Sequence, residues 1–571
     1  MNLNHLSIKT SARTWVGTII AITFIIAIQA SAVSADIFYV GDGGAGAGCI
    51  GTDIVDALVA AAVSTGPDEI RVVRNRQHIN QWIHLTDWDP ALVGSLTIVG
   101  GYDTCTDAVW SGRTTLIGRT GKPVFEIDTV GETSNVTLRN LEILGITGGE
   151  EGVLVEGAST VSIENCQIRD HQKGGIAATS GANVTIDFSF VINNTRLFGG
   201  GIFCDAATVT SAAGVYLNNG TLGGGAVYAA GGCTLSLVEG SWIDSNTATD
   251  GGGVFATTGA QVDIFGAHVV SNIATEEGGG IYAAGVGTLV RVFNASVSDN
   301  QAADFGGGFY VEDGATVIND RDGGPCFDSV RCAQISGNTL TGAGFGSAVY
   351  ITMGGSVSLI QTYVENNSGP GNTGFVFFAT GTNSSLNLEG VQVWNNGAGV
   401  LFLGEASAVI EAAYVSAAGN LNDTGDDPWL MQLLSNASTL LYSSILWDTY
   451  GVTASGGGSV TQADCLIVND STGLDGGTFI SVVDPMFRDP ANGDLRLKVA
   501  SPAVDYCDDF VYSPLHPDLG HELRGYDLAE ATNGNPGPDG GIFDIGADEI
   551  YYFFEDGFEG GTTSGWILSM P

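Results

Sequence analysis

The chain has 571 residues, of which 85 are Gly and 14 are Pro, and 44% of its residues are apolar. This composition excludes a disordered polar chain, because enough apolar surface is present to bury a large core. The formal net charge of −43 argues against nucleic acid and anionic lipid as partners, since both would be repelled, and favours solubility outside the cell.

Residues 1–35 have the features of a secretory signal. Lys9 and Arg13 give a basic start, an apolar run follows at 15–28, and small residues with cleavage spacing lie at 30–35. The run is short for a membrane span, and an uncleaved N-terminal anchor is the alternative. No later stretch is long and apolar enough to cross a bilayer, so we predict export to the outside or to the outer cell surface.

The stretch "TDIVDALVAAAV", residues 52–63, predicts a short amphipathic helix. We expect Thr52 to be the N-cap and Asp53 to lie in the first turn. The helix would cover the first edge of the strands that follow, because an open sheet edge invites aggregation. The residues expected to face the first coil are Ile54, Val55, Leu58 and Val59.

The middle of the chain repeats a glycine triplet. Triplets begin at Gly199, Gly223, Gly251, Gly278 and Gly306, at steps of 24, 28, 27 and 28 residues. The segments between them alternate apolar and polar residues, which indicates short strands, and they show no helical pattern. A propeller blade needs about 40–45 residues. Units of this length, which fit three strands and three turns, therefore predict one coil each of a parallel β-helix.

Each triplet is predicted to form a corner, where glycine adopts a positive φ and leaves room for the next coil. A phosphate cradle would need a following helix and a Lys, which the repeats lack. An asparagine recurs in step with the coils, and we predict that the side chains bond one another as a ladder. The predicted ladder residues are Asn194, Asn219, Asn246, Asn272, Asn300, Asn338, Asn367 and Asn396.

The nine cysteines of an exported chain predict disulfides. Cys326 and Cys332 lie six residues apart and would close a local loop. Cys49 and Cys105 both belong to the N-terminal region and form our second predicted pair. The sequence does not fix the connectivity; weaker pairings are Cys204 with Cys233 and Cys465 with Cys507, which leave Cys166 over.

The C-terminal part changes character. "DPMFRDPANGDLRLKVASPAVD" (484–505), "DLGHELRGYDL" (518–528) and "FDIGADEI" (543–550) resemble the choice-of-anchor Q region of secreted bacterial right-handed β-helix proteins. The glycine and asparagine repeats are similar to the GGxI and FxxN repeats of polymorphic outer-membrane proteins. The resemblance implies a right-handed coil and exposure at a cell surface, and it says little about activity.

These observations predict an all-β, right-handed parallel β-helix, a pectate-lyase-like solenoid. We assign 1–35 to the signal, 36–483 to the β-helix with its N-terminal capping helix, 484–550 to a loop-rich C-terminal cap and 551–571 to a tail motif.

A catalytic centre is not evident. A lyase needs a basic residue in its cleft, and between residues 174 and 310 only Arg196 and Arg291 are basic. A hydrolase needs clustered carboxylates, for which Asp508 and Asp509 are the main adjacent pair near a cleft. Three carboxylates of the C-terminal region are candidate Ca²⁺ ligands, with turns and strand-end caps as the structural alternative: Asp505, Asp544 and Asp548.

Aromatic residues follow the triplets in one register, at Tyr228, Phe255, Tyr282 and Tyr310. Outward rings would stack on sugars, but we favour inward packing. We predict a non-enzymatic, adhesin-like or glycan-contacting surface protein, a monomer whose partner is a polysaccharide or a host or neighbouring cell surface. The alternative is a polysaccharide lyase or glycoside hydrolase, with its groove at the longer turns, 321–332 and 420–430.

Overall fold

The computed structural model describes most of the chain from residue 36 onward. The described residues are 36–41, 48–64, 66–86, 95–129, 135–220, 222–321, 333–370, 374–397, 399–420, 429–448, 451–506, 516–520, 524, 543–548 and 550. The predicted signal at 1–35, the Cys326–Cys332 pair and the tail at 551–571 lie outside them. Within them, no helix is long and apolar enough to cross a membrane.

The described chain winds as a parallel β-helix. Each regular coil contributes one strand to a 14-stranded sheet and two strands, separated by a bend, to a 30-stranded sheet. We call the two parts of the larger sheet its first row and its second row. Every strand pairs in parallel with the equivalent strand of the next coil, as predicted from the repeat length.

The strands of the 14-stranded sheet are β4 (Ile83–Thr86), β7 (Phe125–Thr129), β10 (Val153–Gly157), β13 (Ile176–Thr179), β16 (Ile202–Asp205), β19 (Val227–Ala230), β23 (Val254–Thr257), β27 (Ile281–Ala284), β31 (Phe309–Glu312), β35 (Val349–Ile351), β38 (Phe375–Thr380), β41 (Val400–Glu405), β44 (Trp429–Leu433) and β46 (Val452–Ala454).

The first row of the 30-stranded sheet comprises β1 (Asp36–Val40), β2 (Asp68–Val73), β5 (Leu96–Tyr102), β8 (Asn135–Arg139), β11 (Thr160–Glu164), β14 (Asn183–Asp187), β17 (Thr208–Ala212), β20 (Thr234–Val238), β24 (Gln261–Phe265), β28 (Leu289–Phe293), β32 (Thr316–Asp320), β36 (Ser356–Ile360), β39 (Ser385–Glu389) and β42 (Val409–Ala413). Two long strands, β45 (Ser438–Trp447) and β47 (Ser459–Val468), run through both rows, and β48 (Thr478–Ser481) pairs with β47.

The second row comprises β3 (His78–Gln81), β6 (Thr114–Gly118), β9 (Leu141–Leu144), β12 (Gln167–Arg169), β15 (Phe190–Ile192), β18 (Val215–Leu217), β21 (Trp242–Asp244), β25 (His268–Val270), β29 (Ser296–Ser298), β33 (Gln334–Ser336), β37 (Tyr363–Glu365), β40 (Gln392–Trp394) and β43 (Ser416–Ala418). A small four-stranded sheet follows the asparagine corner: β22 (Thr247–Ala248), β26 (Ile273–Ala274), β30 (Gln301–Ala302) and β34 (Thr339–Leu340).

Alternation along each strand sends apolar side chains inward. In β24, Val262 and Ile264 are fully buried, whereas Gln261, Asp263 and Phe265 are half-buried on the outer face. The inward residues form one continuous core from Val40 to Leu474. Burial of this core is the main term that holds the coil together.

The glycine triplets form corners, as predicted. Gly278 has a φ of +67°, a conformation that favours glycine. A Cβ on Gly279 would lie 2.5 Å from the carbonyl oxygen of Gly307, and one on Gly280 would lie 2.8 Å from that of Gly308. The first glycine therefore makes the turn in this triplet, and the other two let the next coil approach; in the triplet at Gly223 the second glycine, Gly224, makes the turn.

The N-terminal helix is present as α1 (Ile54–Ala61), but two details of its prediction are wrong. Its N-cap is Asp53, not Thr52, and the Asp53 carboxylate accepts the backbone N–H of Val55 at 3.2 Å. Val55 and Val59 point to solvent, with exposures of 48% and 66%. The buried face has helical spacing, with small alanines at its centre: Ile54, Ala57, Leu58 and Ala61.

The C-terminal region is loop-rich, and its described part lies along the side of the coils. It begins with an antiparallel hairpin of β49 (Phe487–Asp489) and β50 (Asp494–Leu497), joined by a 3₁₀ turn at Pro490–Asn492. The hydroxyl of Tyr506 forms a hydrogen bond with the hydroxyl of Ser481 in β48, the last strand of the large sheet, at 2.7 Å. From there the region reaches back to Arg321, whose guanidinium donates to the carbonyl of Leu519 at 2.6 Å. It therefore covers the outer face of the later coils.

Candidate functional site

The predicted asparagines lie in one buried column. The backbone N–H and the side-chain Nδ2 of Asn246 both donate to Oδ1 of Asn272, at 3.0 and 2.9 Å. Nδ2 of Asn246 also donates to the carbonyl of Tyr216 at 3.0 Å. The same pattern joins all eight residues and continues to Asn420, which donates to the carboxylate of Asp448. This column is a structural device, because its amides are satisfied within the protein.

The chain forms two disulfides between described cysteines, Cys49–Cys105 and Cys204–Cys233. Cys465 is also disulfide-bonded, while its predicted partner Cys507 lies outside the described residues. Cys166 is a free thiol, and burial raises its pKa to about 12. These disulfides are typical of a protein from an oxidising compartment.

The aromatic residues after the triplets face outward, so the inward packing that we favoured is wrong. In β23, Val254 and Ala256 are fully buried in the core, whereas Phe255 between them is half-buried on the outer face. Rings in the same register of seven successive coils stack with centroids 4.4–5.6 Å apart and planes within 26°. We call this set the ring ladder: Phe203, Tyr228, Phe255, Tyr282, Tyr310, Tyr350 and Phe378.

The ring ladder hides the surfaces that a sugar would need. Each inner ring is covered on both faces by its neighbours, and Tyr282 and Tyr310 are only 8% and 5% exposed. At the early end, the guanidinium carbon of Arg196 lies 4.2 Å from the ring centroid of Phe203. Sugar stacking uses an open ring face. The ladder therefore works as an outer layer of packing rather than as a sugar platform.

Three carboxylates border the ring ladder, and we call them the acidic cluster: Asp250, Glu277 and Glu312. The hydroxyl of Tyr282 donates to Glu312, and that of Tyr310 approaches the same carboxylate at 3.3 Å. Burial, together with the neighbouring carboxylates, raises the pKa of Glu277 to about 7 and that of Asp250 to about 6. Both residues immediately precede a glycine triplet, and this recurring position is the sequence signal from which the cluster could have been found.

The three Ca²⁺ candidates lie in the C-terminal region. Asp544 accepts the backbone N–H of Asp505 at 2.8 Å and that of Ile550 at 2.7 Å, which is a capping arrangement. Burial raises the pKa of Asp544 to about 7, and burial beside Asp518 raises the pKa of Asp548. In the part of the chain that the structure describes, no three such residues form a group that could hold a metal ion. Calcium binding stays a prediction.

The basic residues are mostly engaged. Arg196 pairs with Glu151 at 2.9 Å and Arg291 with Asp263 at 2.5 Å, so the two arginines of the central coils are neutralised by carboxylates. The predicted carboxylate pair Asp508–Asp509 and most of both longer turns lie outside the described residues. Further pairs in the early coils are Arg71–Glu69, Arg74–Asp103, Arg139–Glu164, Arg169–Glu142 and Lys173–Glu150.

A second outward row of apolar side chains lies on the second row of the large sheet. Phe190, Val215, Trp242 and His268 are register neighbours on four successive coils. Phe190 is 37% and Trp242 is 38% exposed. The Trp242 indole stacks on His268, with centroids 4.2 Å apart. We call these four residues the exposed patch, and its two large rings keep open surface because Val215 between them is small.

The exposed patch has a sequence signal of its own, which did not enter the prediction. Each patch residue stands four positions before a residue of the asparagine column; Trp242, for example, precedes Asn246. That position begins a second-row strand and points outward in every regular coil. An aromatic residue there is therefore exposed unless the neighbouring coils also carry one.

Comparison with known families agrees with the architecture. Residues 128–302 match the family model described as a right handed beta helix region. The matched coils include the exposed patch and the first part of the ring ladder. A comparison with curated proteins gives no match. The chain is thus a right-handed parallel β-helix.

Proposed function

We propose that this chain is an exported, surface-presented β-helix that binds a neutral glycan through the exposed patch. The observation that carries the proposal is the surface that Phe190 and Trp242 keep exposed, 37% and 38%, although Arg113 approaches one ring and His268 stacks on the other. The two residues lie two coils apart on one straight sheet, so they are separated by about 10 Å. Exposed apolar groups that line up on a rigid face are typical of a binding surface.

The charge of the chain favours an uncharged ligand. At −43 the protein repels polyanionic polysaccharides, while neutral sugars meet no such barrier. Polar side chains continue the second row beyond the patch, with Ser296 as the register neighbour of His268 and Gln334 after it. Hydroxyl and amide groups beside aromatic rings match a ligand with apolar C–H faces and hydroxyl edges.

The proposal includes export of the chain and its display at the cell surface. The disulfides support an oxidising compartment. The features of residues 1–35 and the resemblance of residues 484–550 to the choice-of-anchor Q region support secretion and surface display.

An array of neutral and charged glycans tests the proposal. We expect the full exported chain to bind at least one neutral polysaccharide, and Trp242→Ala to weaken that binding at least tenfold. Phe479→Ala is the matched control, because Phe479 is also exposed, at 44%, and lies far along the chain in β48. Absence of neutral-glycan binding, or equal binding by the Trp242 variant, would remove the proposed function.

A second candidate function is glycoside hydrolysis at the acidic cluster. Burial and the neighbouring carboxylates raise the pKa of Glu277 to about 7 and that of Asp250 to about 6, so both carboxyls titrate near neutral pH, the range that a general acid or base needs. Release of reducing sugar from a panel of neutral polysaccharides, lost in Glu277→Gln, would support this candidate. An inactive wild-type chain would exclude it for the polysaccharides tested.

A further inference from the structure

We infer that a cleft beside Trp110 is a separate binding site for a single neutral sugar residue. The cleft has a volume of about 380 Å³, and its walls combine one aromatic ring with charged and amide side chains: Trp110, Arg113, Glu142, Asn165 and Gln167. That size lies within the range of small-molecule sites, which is about 300–1,000 Å³. We call it the Trp110 cleft.

The loop that carries Trp110 is held in place. The Cys49–Cys105 disulfide ties one end of the loop to the N-terminal strand region. Asp103 accepts the Nε–H of Arg74 at 2.7 Å and the hydroxyl of Ser111 at 2.8 Å, and the backbone N–H of Ser111 donates to the carbonyl of Gly101 at 2.8 Å. Trp110 is nevertheless 47% exposed. A large ring on a fixed loop with its surface open is prepared for a ligand rather than for the core.

The opposite wall is equally fixed. Arg113 donates from Nε to the carbonyl of Asn165 and from Nη2 to its Oδ1, both at 2.7 Å, and Asn165 donates to the side chain of Asn140 at 2.7 Å. Glu142 accepts the hydroxyl of Thr115 at 2.5 Å. These bonds hold the planar polar groups at fixed angles, which lowers the entropic cost of binding.

Polar groups in the cleft retain capacity for a ligand. Among the described residues, neither the side-chain amide of Gln167 nor the indole N–H of Trp110 has a hydrogen-bond partner. The amide offers both donors and an acceptor, and the indole offers a donor. A sugar residue, with several hydroxyls around an apolar ring, can use all of these groups together with the Trp110 face.

The charges around the cleft favour a neutral ligand. Glu142 forms an ion pair with Arg169 at 2.6 Å, and Arg169 also contacts Asp170 at 2.5 Å. The cleft lining itself holds one guanidinium group, that of Arg113, and one carboxylate, that of Glu142, and their charges balance. An acidic or basic sugar would disturb this charge balance, because it would bring an additional, partly desolvated charge into the cleft.

The cleft adjoins the exposed patch. Gln167 is the register neighbour of Phe190, and the guanidinium of Arg113 lies 5.6 Å from the Phe190 ring centroid. A sugar in the cleft would therefore be one residue of a glycan that continues along the patch. The class of ligand rests on the proposed function, whereas the place of the site rests on the geometry of the cleft.

Titration of the full chain with four neutral sugars (methyl glucoside, methyl galactoside, methyl mannoside and N-acetylglucosamine) and with charged glucuronate and glucosamine, followed by saturation-transfer NMR, tests the inference. We expect at least one to bind, and Trp110→Ala and Gln167→Ala each to weaken it at least fivefold. Val109→Ala is the control, because Val109 belongs to the same loop, is 75% exposed and does not line the cleft. Circular dichroism of each variant checks the fold.

The outcomes separate the two proposals. Failure of all four neutral sugars to bind, unchanged binding in Trp110→Ala, or tighter binding of glucuronate or glucosamine would overturn the cleft inference, even if polysaccharides bind through Trp242. Monosaccharide binding that Trp110→Ala removes and Trp242→Ala leaves intact would support it, even if the glycan array fails.

Discussion

Two outward rows of aromatic side chains distinguish the faces of this β-helix. The ring ladder occupies one register of seven coils without interruption, so each ring covers a face of the next, and its members are buried or half-buried. The exposed patch occupies an equivalent outward register, but Val215 separates Phe190 from Trp242. Continuity along the stack, rather than residue type, therefore decides whether a ring serves packing or remains available to a ligand.

The largest effect on stability is expected in the asparagine column. It sets the upper limit for the stability lost when one member of a repeated row is removed. Asn246→Ala removes the side-chain partner of the Asn219 backbone N–H and of the Tyr216 carbonyl, and each unsatisfied buried group costs about 1–3 kcal/mol. We expect the free energy of unfolding to fall by about 3–5 kcal/mol, measured in urea. Asn183→Ala is the control, because Asn183 is exposed; equal losses in the two variants would contradict the ladder's role.

The ring ladder should also matter for stability. Tyr282→Ala removes the stacking contacts with Phe255 and Tyr310 and the hydroxyl that donates to Glu312. Because Tyr282 packs on the outer face rather than in the core, we expect a loss of about 2–4 kcal/mol, somewhat less than the ~3–5 kcal/mol typical of a core aromatic residue. Trp242→Ala should cost less than about 1 kcal/mol, since surface substitutions rarely cost more. Denaturant unfolding of both variants would show whether the two rows differ as described.

A pH effect on stability should arise from the acidic cluster on the ring-ladder face. The folded pKa of Glu277, about 7, is above its ordinary value of 4.5, so the folded state holds a proton that the unfolded state has lost between these pH values. Stability contributed by this proton is therefore present at low pH and falls as the pH rises from about 4.5 to about 7. Burial is the main cause of the raised pKa, and the carboxylates of Asp250, Glu312 and Glu276 add to it.

Thermal unfolding at pH 5 and pH 8 measures this dependence. We expect Glu277→Gln to reduce the difference in unfolding temperature between the two pH values relative to the wild-type chain. Glu239→Gln, which removes an exposed carboxylate, is the control. Asp544 titrates in a similar range, so the comparison between variants carries the result rather than the wild-type profile alone. An unchanged profile in Glu277→Gln would contradict the assignment.

The smallest expected effect comes from turning the patch into a ladder. Val215→Phe places a ring between Phe190 and Trp242, and stacked aromatic pairs contribute about 0.5–1.5 kcal/mol. We expect stability to rise by about 0.5–1 kcal/mol and glycan binding to weaken, because the ring surfaces become covered. Ser296→Phe, beyond His268, is the control that adds a ring without filling the gap. Stronger binding by the Val215 variant would show that added ring area matters more than open faces.

Much of the fold could be predicted because the coil repeats its constraints. Glycine at the corners and a buried amide in every coil are required by turn geometry and hydrogen bonding, so they recur in the sequence at coil spacing. The outward orientation of Phe255 was not predicted because its neighbours Val254 and Ala256 are also apolar, and three apolar residues in a row hide the alternation. The helix N-cap was misassigned because Thr52 and Asp53 are both good caps.

The Trp110 cleft could not be predicted from the sequence, for a different reason. Its walls come from three coils: Glu142 and Gln167 are register neighbours, but residues 110–113 belong to an irregular loop whose position over them has no periodic signal. The path of the C-terminal region along the side of the coils was equally hidden, because loops without periodicity give no sign of the surface they cover. Local pattern predicts the repeat, whereas irregular segments require three-dimensional contacts.

Binding and unfolding measured together on Trp242→Ala and Tyr282→Ala test the central claim most directly. The ligand is the neutral glycan that the wild-type chain binds best, titrated well below the unfolding temperature of both variants. We predict that Trp242→Ala binds at least tenfold more weakly with nearly unchanged stability, while Tyr282→Ala binds as the wild type does and unfolds more easily. Lost binding in Tyr282→Ala with full binding in Trp242→Ala would contradict the account.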